Sequence, residues 1–520
     1  MKINDRSKML WYLALPVLLL VACVLQPAPA AAQMTSVGVD CSQIQALGIL
    51  KQDNMRAGRV LIECGVVQGG RPADPSSAPA APPNIRVSNR KCTASNSCTK
   101  SENMVFANPA DGGNTIVVNY NDHNVGQYSG TSYSVDAGAH FKEILPPPFA
   151  SGHATNFGDP IVVFNAKLGK WFAGDLVTGC GGQGIGLWSS NDGKTWAVGA
   201  CAHNGGGDDR ESMWVDNEPS SGTYGRMYIS WNDFVANGST SVTFSDNGTS
   251  WSSPVRLNNG STFIRDVQIT GSPVGASRFE GKNSTVFVAG MDEGGGGLNT
   301  RQNIMYKSLD GGVTWTSSTM GSRFSPPGTV NCGYFVAVAP IWRHMGWGEP
   351  GVGPNGVVHY AYAGRGTSGD TGDIFYVRSL DNGKTWSSPK KLSTGKESQF
   401  KTQWMPSLSA ELNGKVTASW YDRRKATSAC VNATDAGCKY ERVGRQSNDN
   451  GATFASAFAI SSALIPQPTQ TDSGVQSCYA GDYDYSTTLG GSAYVTWTDG
   501  RRSVGGVHVQ DVDFAKVPLP

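Results

Sequence analysis

Charge is scarce in this chain. Only 16% of its 520 residues are Asp, Glu, Lys or Arg, and 42 basic against 41 acidic side chains leave a net charge of +1. With no basic stripe and no run of like charge, the sequence excludes a nucleic-acid partner and a charged interaction tail. Enzyme signatures are missing as well. There is no HExxH, no GxSxG and no Walker or Rossmann glycine pattern. The glycine clusters at 205–207 and 294–297 lie between strand-like runs and read as loops. Seven histidines are scattered without helical ligand spacing, and no CxxC pair or Cys/His cluster has the spacing of a zinc site. The only long apolar run is LWYLALPVLLLVACVL at 10–25, too short and wrongly flanked for a stable membrane span.

That run reads as part of an export signal. A positive n-region precedes it, and PAPAAAQ at 27–33 offers an A-x-A cleavage site after Ala32, making residues 1–32 a signal peptide. LVAC at 20–23 resembles a bacterial lipobox, so a lipid anchor at Cys23 is the alternative to secreted or periplasmic release. Without Cys23, ten of the eleven cysteines remain, an even number that suits disulfides in an oxidising compartment. Neighbours in sequence give Cys41–Cys64, Cys92–Cys98, Cys180–Cys201 and Cys430–Cys438, leaving Cys332–Cys478. Residues 33–68 form a small N-terminal element, with a short helix capped by Ser42 and stopped at Gly58, then VLIEC as a strand or extended run. The Pro/Ala/Ser-rich stretch 69–83 is a linker.

What is abundant is glycine, 65 residues, and a repeat. SLDGGVTW (308–315), SLDNGKTW (379–386) and SNDNGATF (447–454) are close copies; SVDAGAHF (134–141), SSNDGKTW (189–196) and FSDNGTSW (244–251) are weaker ones. Aligned on one column, they place Asp136, Asn191, Asp246, Asp310, Asp381 and Asp449 at spacings of 55, 55, 64, 71 and 68 residues. Gly supplies a positive φ for a tight turn, the carboxylate accepts backbone N–H bonds within it, and the closing Trp or Phe buries a ring on the strand pair. These acids read as turn locks.

A second repeat sets the count. TIVVNYND (115–122), KWFAGDL (170–176), RMYISWND (226–233), TVFVAGMDE (285–293), VVHYAYAGR (357–365), KVTASWYDRR (415–424) and SAYVTWTDGRR (492–502) are alternating, β-branched and aromatic runs. Seven strands against six turns predict an all-β, seven-bladed propeller over 84–515, with six blades as the alternative. If the turn joins each blade's third and fourth strands, a blade shared between the chain's two ends lacks it. NIRVSN (84–89) then supplies the fourth strand beside VHVQDVDF (507–514).

The turn motif resembles the Asp box, or bacterial neuraminidase repeat, of the sialidase superfamily, over residues 84 to 515. The resemblance implies a propeller that binds glycans or an extracytoplasmic protein at one channel mouth, with a glycoside hydrolase of exo-α-sialidase type as the alternative. A sialidase grips its substrate's carboxylate with three arginines and attacks with a Glu-activated tyrosine. Its first arginine lies in an Arg-Ile-Pro segment, which this chain lacks; Arg86 is followed by Val87 and Ser88.

Candidates at the mouth come from the entries of the inner strands. Glu102, Asp159, Glu211, Asp266 and Asp482, with Gln403, recur at those entries. They form a polar funnel for sugar hydroxyls or a ring that would take a divalent cation such as calcium; the simpler reading is that they cap turns or pair with Arg210 and Arg265. Trp342 and Trp347 are expected as exposed stacking surfaces for sugar rings. Catalytic candidates are Arg265, Asp266, Arg343, Tyr483 and Tyr485, with Arg423, Arg424, Arg501 and Arg502 as further arginines. Three arginines converging with a Tyr/Glu pair would favour the hydrolase.

Overall fold

The structure is a computed structural model describing residues 34, 38–46, 60, 63–66, 83–88, 99–123, 128–259, 263–272, 281–332, 335–338, 342–366, 369–394, 401–427, 430, 437–468, 470, 478–504 and 506–520. The expected signal peptide, the Cys23 anchor, the helix stop at Gly58, the linker up to Pro82 and the Cys92–Cys98 pair lie outside them. The chain divides into residues 1–76 and residues 77–520.

In the first unit, Cys41–Gln43 form a 3-10 turn capped by Asp40, whose side chain accepts the Ser42 N–H at 2.9 Å. The cap is thus Asp40 and not Ser42. Val60 and Glu63 are helical, and Cys64 N–H bonds to Val60 O at 2.9 Å, so the described residues of VLIEC form a helical turn where a strand or extended run was expected. A Cys41–Cys64 disulfide closes this element.

The second unit is a seven-bladed β-propeller. Each blade is an antiparallel sheet of four principal strands: blade 1 at 100–143, blade 2 at 156–203, blade 3 at 208–256, blade 4 at 264–319, blade 5 at 349–391, blade 6 at 403–459, and blade 7 at 487–518 completed by Ile85–Arg86. Inner strands pack side by side from blade 1 round to blade 7 and back. Each alternating run read from the sequence is the second strand of a blade, because its apolar residues must meet a neighbouring blade on both faces. Ile116–Asp122 and Val416–Asp422, for example, are buried almost throughout. The closing register is Ile85↔Phe514 and Arg86↔Asp513, so the six-bladed alternative is set aside. The third strand of blade 7 is Asp511–Pro518, starting later than expected; Val507–His508 instead form a small hairpin with Ser503–Val504. A three-stranded insert, Val330–Cys332, Phe335–Val338 and Trp342–Arg343, stands between blades 4 and 5 and is tied by Cys332–Cys478 to the segment before blade 7. Cys180–Cys201 and Cys430–Cys438 are also bonded. Among the described residues no helix is long and apolar enough to cross a membrane.

The six repeat turns join third and fourth strands. In the copy at 379–386, Asp381 Oδ1 accepts N–H bonds from Lys384 (3.1 Å) and Thr385 (2.8 Å), and Ser379 Oγ donates to it at 2.7 Å. Gly383 N–H donates back to Ser379 Oγ at 2.8 Å. Two copies are one residue shorter, which moves the acceptor. Asp192, not Asn191, accepts the Lys194 and Thr195 N–H groups at 2.8 Å, and Asn247, not Asp246, does so for Thr249 and Ser250 at 2.9 Å. Asp246 instead pairs with Arg226 at 2.8 Å. Each turn also docks on the preceding blade: a Cβ on Gly138 would stand 2.5 Å from the Phe514 ring, and one on Gly312 3.0 Å from Tyr228. Glycine is therefore required there for space as well as for its positive φ.

Slight burial raises the Asp381 pKa, but the bonds from Thr385, Ser379 and Lys384 outweigh it and hold the carboxyl at about 2; the same balance, led by Thr453, holds Asp449 at about 2. An unfolded Asp titrates near ~3.9. The folded pKa is depressed, so this stabilisation is complete above about pH 4 and is lost as pH falls towards 2. Asp381→Ala should lower stability by about 1–2 kcal/mol at pH 7. Thermal melts should show the deficit shrinking towards pH 2; a pH-independent deficit would mean that the carboxylate's charge is not what locks the turn.

Candidate functional site

The inner strands carry a shared irregularity. Glu102, Asp159, Arg210, Asp266 and Met405 have φ of 49°, 63°, 52°, 63° and 49°, a left-handed conformation rare for residues with a Cβ. Register shifts accompany it between Ser101 and Asn103, Gly158 and Ile161, Asp209 and Ser212, and Trp404 and Ser407. These bulges turn side chains towards the axis at one end of the channel, where a cleft of about 780 Å³ opens.

Its floor links blade to blade. Glu102 Oε1 accepts Asp482 N–H at 2.8 Å, and Asp159 Oδ2 accepts Arg210 N–H at 2.9 Å. Asp266 Oδ2 accepts Gly348 N–H at 3.1 Å and Tyr360 O–H at 2.7 Å. Each acid thus satisfies a backbone amide of another blade or of the segment leading into it, rather than one in its own turn. Three arginines meet here, and each is held by a carboxylate. Arg210 Nη2 lies 3.1 Å from Asp266, Arg265 Nη2 lies 2.9 Å from Asp209, and Arg343 grips Asp482 through Nε at 2.9 Å and Nη2 at 2.5 Å. Arg210 is also stacked between Trp347 and Tyr483, its guanidinium carbon 4.1 and 4.8 Å from the ring centres.

Two features of the floor point towards a ligand. Arg210 Nε and Nη1 and the Tyr483 hydroxyl have no hydrogen-bond partner among the described residues, although the side chains are 2% and 5% exposed and line the cleft. Asn121 bridges Glu102 and Asp159, donating to the Glu102 carboxyl and accepting the Asp159 N–H. Burial, then the charges of Asp159 and Asp482, push the Glu102 pKa well up; burial and Asp209 push Asp159 to about 6. Above the floor stands an aromatic rim from separate parts of the chain: Tyr128, Phe157, Phe234, Phe263 and Phe335. Phe157 and Phe234 are 41% and 45% exposed.

Of the residues singled out in the sequence, Glu102, Asp159, Asp482, Arg265, Arg343 and Tyr483 line this cleft. Asp266 lies fully buried beneath it. Tyr485 stacks under Tyr483 at 4.5 Å, facing the opposite mouth; Arg210, Trp347, Met405 and the two tyrosines leave a void of only about 10 Å³ between the mouths. Glu211 is buried outside the cleft lining, its pKa driven well up by burial and by Asp159. Gln403 is buried, donating to Asp422. The stacking role expected of the tryptophans is corrected. Trp347 is 2% exposed beneath Arg210, and Trp342 is fully buried against Trp404, Tyr421 and Tyr440. Arg423 bonds to Gln467, Arg424 lies beside Glu441, and Arg501 and Arg502 pair with Asp513 on blade 7. Asp209, Asn121 and the rim aromatics were missed; only the DDR string beside a known candidate and the end of the run TIVVNYND held the first two. The sole grouping of metal-binding side chains among the described residues, His153 with Cys180 and Cys201, is a histidine beside a disulfide.

No family model matches the chain, and no curated protein matches it. Solved structures similar to it include a variant of an α-L-arabinofuranosidase from Fusarium graminearum (11% identity, 83% of this chain and 97% of that one, TM-score 0.40). They also include the NanB sialidase from Streptococcus pneumoniae (12%, 84% and 70%, 0.38) and the phage phi92 endosialidase (10%, 85% and 69%, 0.43). With every one of these TM-scores below 0.5, the likeness says nothing about what the cleft holds.

Proposed function

We propose that this propeller binds neutral glycans at its channel mouth, outside the cytoplasm. The observation that carries the reading is the cleft's combination of an aromatic rim with a floor of unmatched donors and acceptors. A sugar ring offers C–H faces to Phe157 and Phe234, and its hydroxyls both donate and accept. They can answer Arg210 Nε and Nη1, the Tyr483 hydroxyl and the carboxylates together. Charge favours a neutral ligand. The lining holds five acids, Glu102, Asp122, Asp159, Asp209 and Asp482, against three arginines, each of them paired with a carboxylate. An anionic sugar would meet a repulsive field and find no unpaired guanidinium. Export is supported by the four disulfides, which persist in oxidising compartments.

The exo-α-sialidase alternative meets half of its requirement. Arginines 210, 265 and 343 do converge, but the Tyr483 hydroxyl has no carboxylate bonded to it that would activate it as a nucleophile. Binding to immobilised neutral and sialylated oligosaccharides should show retention of neutral chains and little retention of the sialylated ones. Preferential binding or cleavage of an α-sialoside would overturn the reading.

A further inference from the structure

We propose that the cleft hydrolyses a neutral glycan, with Glu102 as proton donor, Asp209 as the base that activates water, and Asp159 between them as a positioning carboxylate. This rests on the glycan-binding reading and adds an activity to it. The three acids sit on the bulged inner strands of three consecutive blades and line one cleft. Glu102 is 3% exposed, whereas the Asp209 side chain is 30% exposed and ion-paired with Arg265 at 2.9 Å. Asn121 clamps the first two acids together, donating to Glu102 Oε2 at 2.6 Å and accepting the Asp159 N–H at 2.9 Å. Two neighbouring carboxyls held together in this way do not both ionise readily, so the pair retains a proton. Burial, then the Asp159 charge, favours its residence on Glu102.

The acids alone would not make a site. The second observation is the pair of buried, unpartnered groups on the same floor, Arg210 and the Tyr483 hydroxyl, placed to hold sugar hydroxyls beside the carboxyl row. A buried carboxylic acid and a separate, more exposed carboxylate in one sugar-sized cleft are the two groups that acetal hydrolysis needs. Glu102 gives its proton to the glycosidic oxygen as the bond from that oxygen to the anomeric carbon breaks, and the departing sugar leaves as an alcohol. Water attacks the anomeric carbon and yields its proton to Asp209. Asp209 then gives that proton up to solvent and Glu102 takes one back from it. One water is consumed, one C–O bond is exchanged for another, and no electrons are transferred.

The test uses the full chain with a panel of neutral oligosaccharides and aryl glycosides of neutral pentoses and hexoses, measuring binding and release of reducing ends separately. Wild type should release reducing ends from an oligosaccharide it binds. Glu102→Gln should lower kcat about 100-fold or more with affinity changed only a few-fold. Asp209→Asn should do the same, and its partly exposed side chain makes it the safer variant should Glu102→Gln fold poorly. Asp159→Asn should move the basic limb of the pH profile down, because Glu102 loses a neighbouring charge that helps it hold its proton. A bound oligosaccharide recovered intact from wild type overturns hydrolysis and leaves the binding reading standing. Turnover unchanged in both Glu102→Gln and Asp209→Asn overturns the assignment. Failure to bind any neutral glycan overturns both.

Discussion

Val87→Asp is expected to abolish cooperative folding of the propeller. Val87 is fully buried, packed in a cluster with Val105, Tyr494 and Phe514, and its N–H bonds to Val512 O at 3.0 Å. It follows directly on the short strand Ile85–Arg86, which completes blade 7 and leaves the ring without an open edge there. Arg86 adds a 2.6 Å bond to Asp511, and Asn84 Nδ2 donates to Ile460 O at 2.9 Å, reaching back to the end of blade 6. An aspartate in place of Val87 loses the apolar packing and buries an unpaired carboxylate among the apolar side chains of that cluster. Burial of an unpaired charge with loss of a core side chain costs more than about 4 kcal/mol, a large part of a domain's margin. Circular dichroism melts should show a broad, low-temperature transition or none. A variant that melts cooperatively within a few degrees of wild type would show that the terminal strand does not seal the ring.

The second large effect is at the cleft floor. Arg210→Ala should remove about 3–5 kcal/mol of stability and abolish glycan binding. Asp266 is fully buried and relies on Arg210 for its counter-charge, with only Gly348 N–H and Tyr360 O–H besides. Removing the guanidinium leaves that carboxylate buried without a cation and opens a gap between Trp347 and Tyr483. The double variant Arg210→Ala/Asp266→Asn should recover much of the stability and none of the binding. Equal stability loss in single and double variants would mean that packing, not charge, dominates at this position.

Much of the scaffold was legible in the sequence because its signals are local. Alternating runs such as RMYISWND can bury both faces only as an inner-lying strand, and seven of them against six turns imply one blade shared by the chain's ends. The turns were legible as a pattern but not in register. The structure shows the acceptor to be the residue two beyond the serine, as in Ser190–Asp192 and Ser245–Asn247, so aligning on an acidic column misplaced Asn191 and Asp246. The blade 5 inner strand, Glu349–Val352, was invisible because a short run holding Pro and Gly has no periodicity. The cleft was legible only in its floor, where carboxylates recur at strand entries. Its rim draws Tyr128, Phe157, Phe234, Phe263 and Phe335 from strand ends, loops and the insert, far apart in sequence, and a single aromatic at each place carries no pattern. Trp342 misled for the complementary reason. A tryptophan in the loop-like string IWRHMGWGEP resembles a surface residue, yet the insert folds it into a cluster of Trp404, Tyr421 and Tyr440.

The central claim is that the channel mouth holds a neutral glycan against its aromatic rim. Phe157 and Phe234 allow it to be tested without disturbing the core, since both are more than 40% exposed. Isothermal titration of a retained neutral oligosaccharide into wild type, Phe157→Ala and Phe234→Ala should show affinity at least about tenfold weaker in each variant, the loss of roughly one aromatic stacking contact, at unchanged melting temperature. Affinity unaltered in both variants would contradict the account and place the ligand elsewhere.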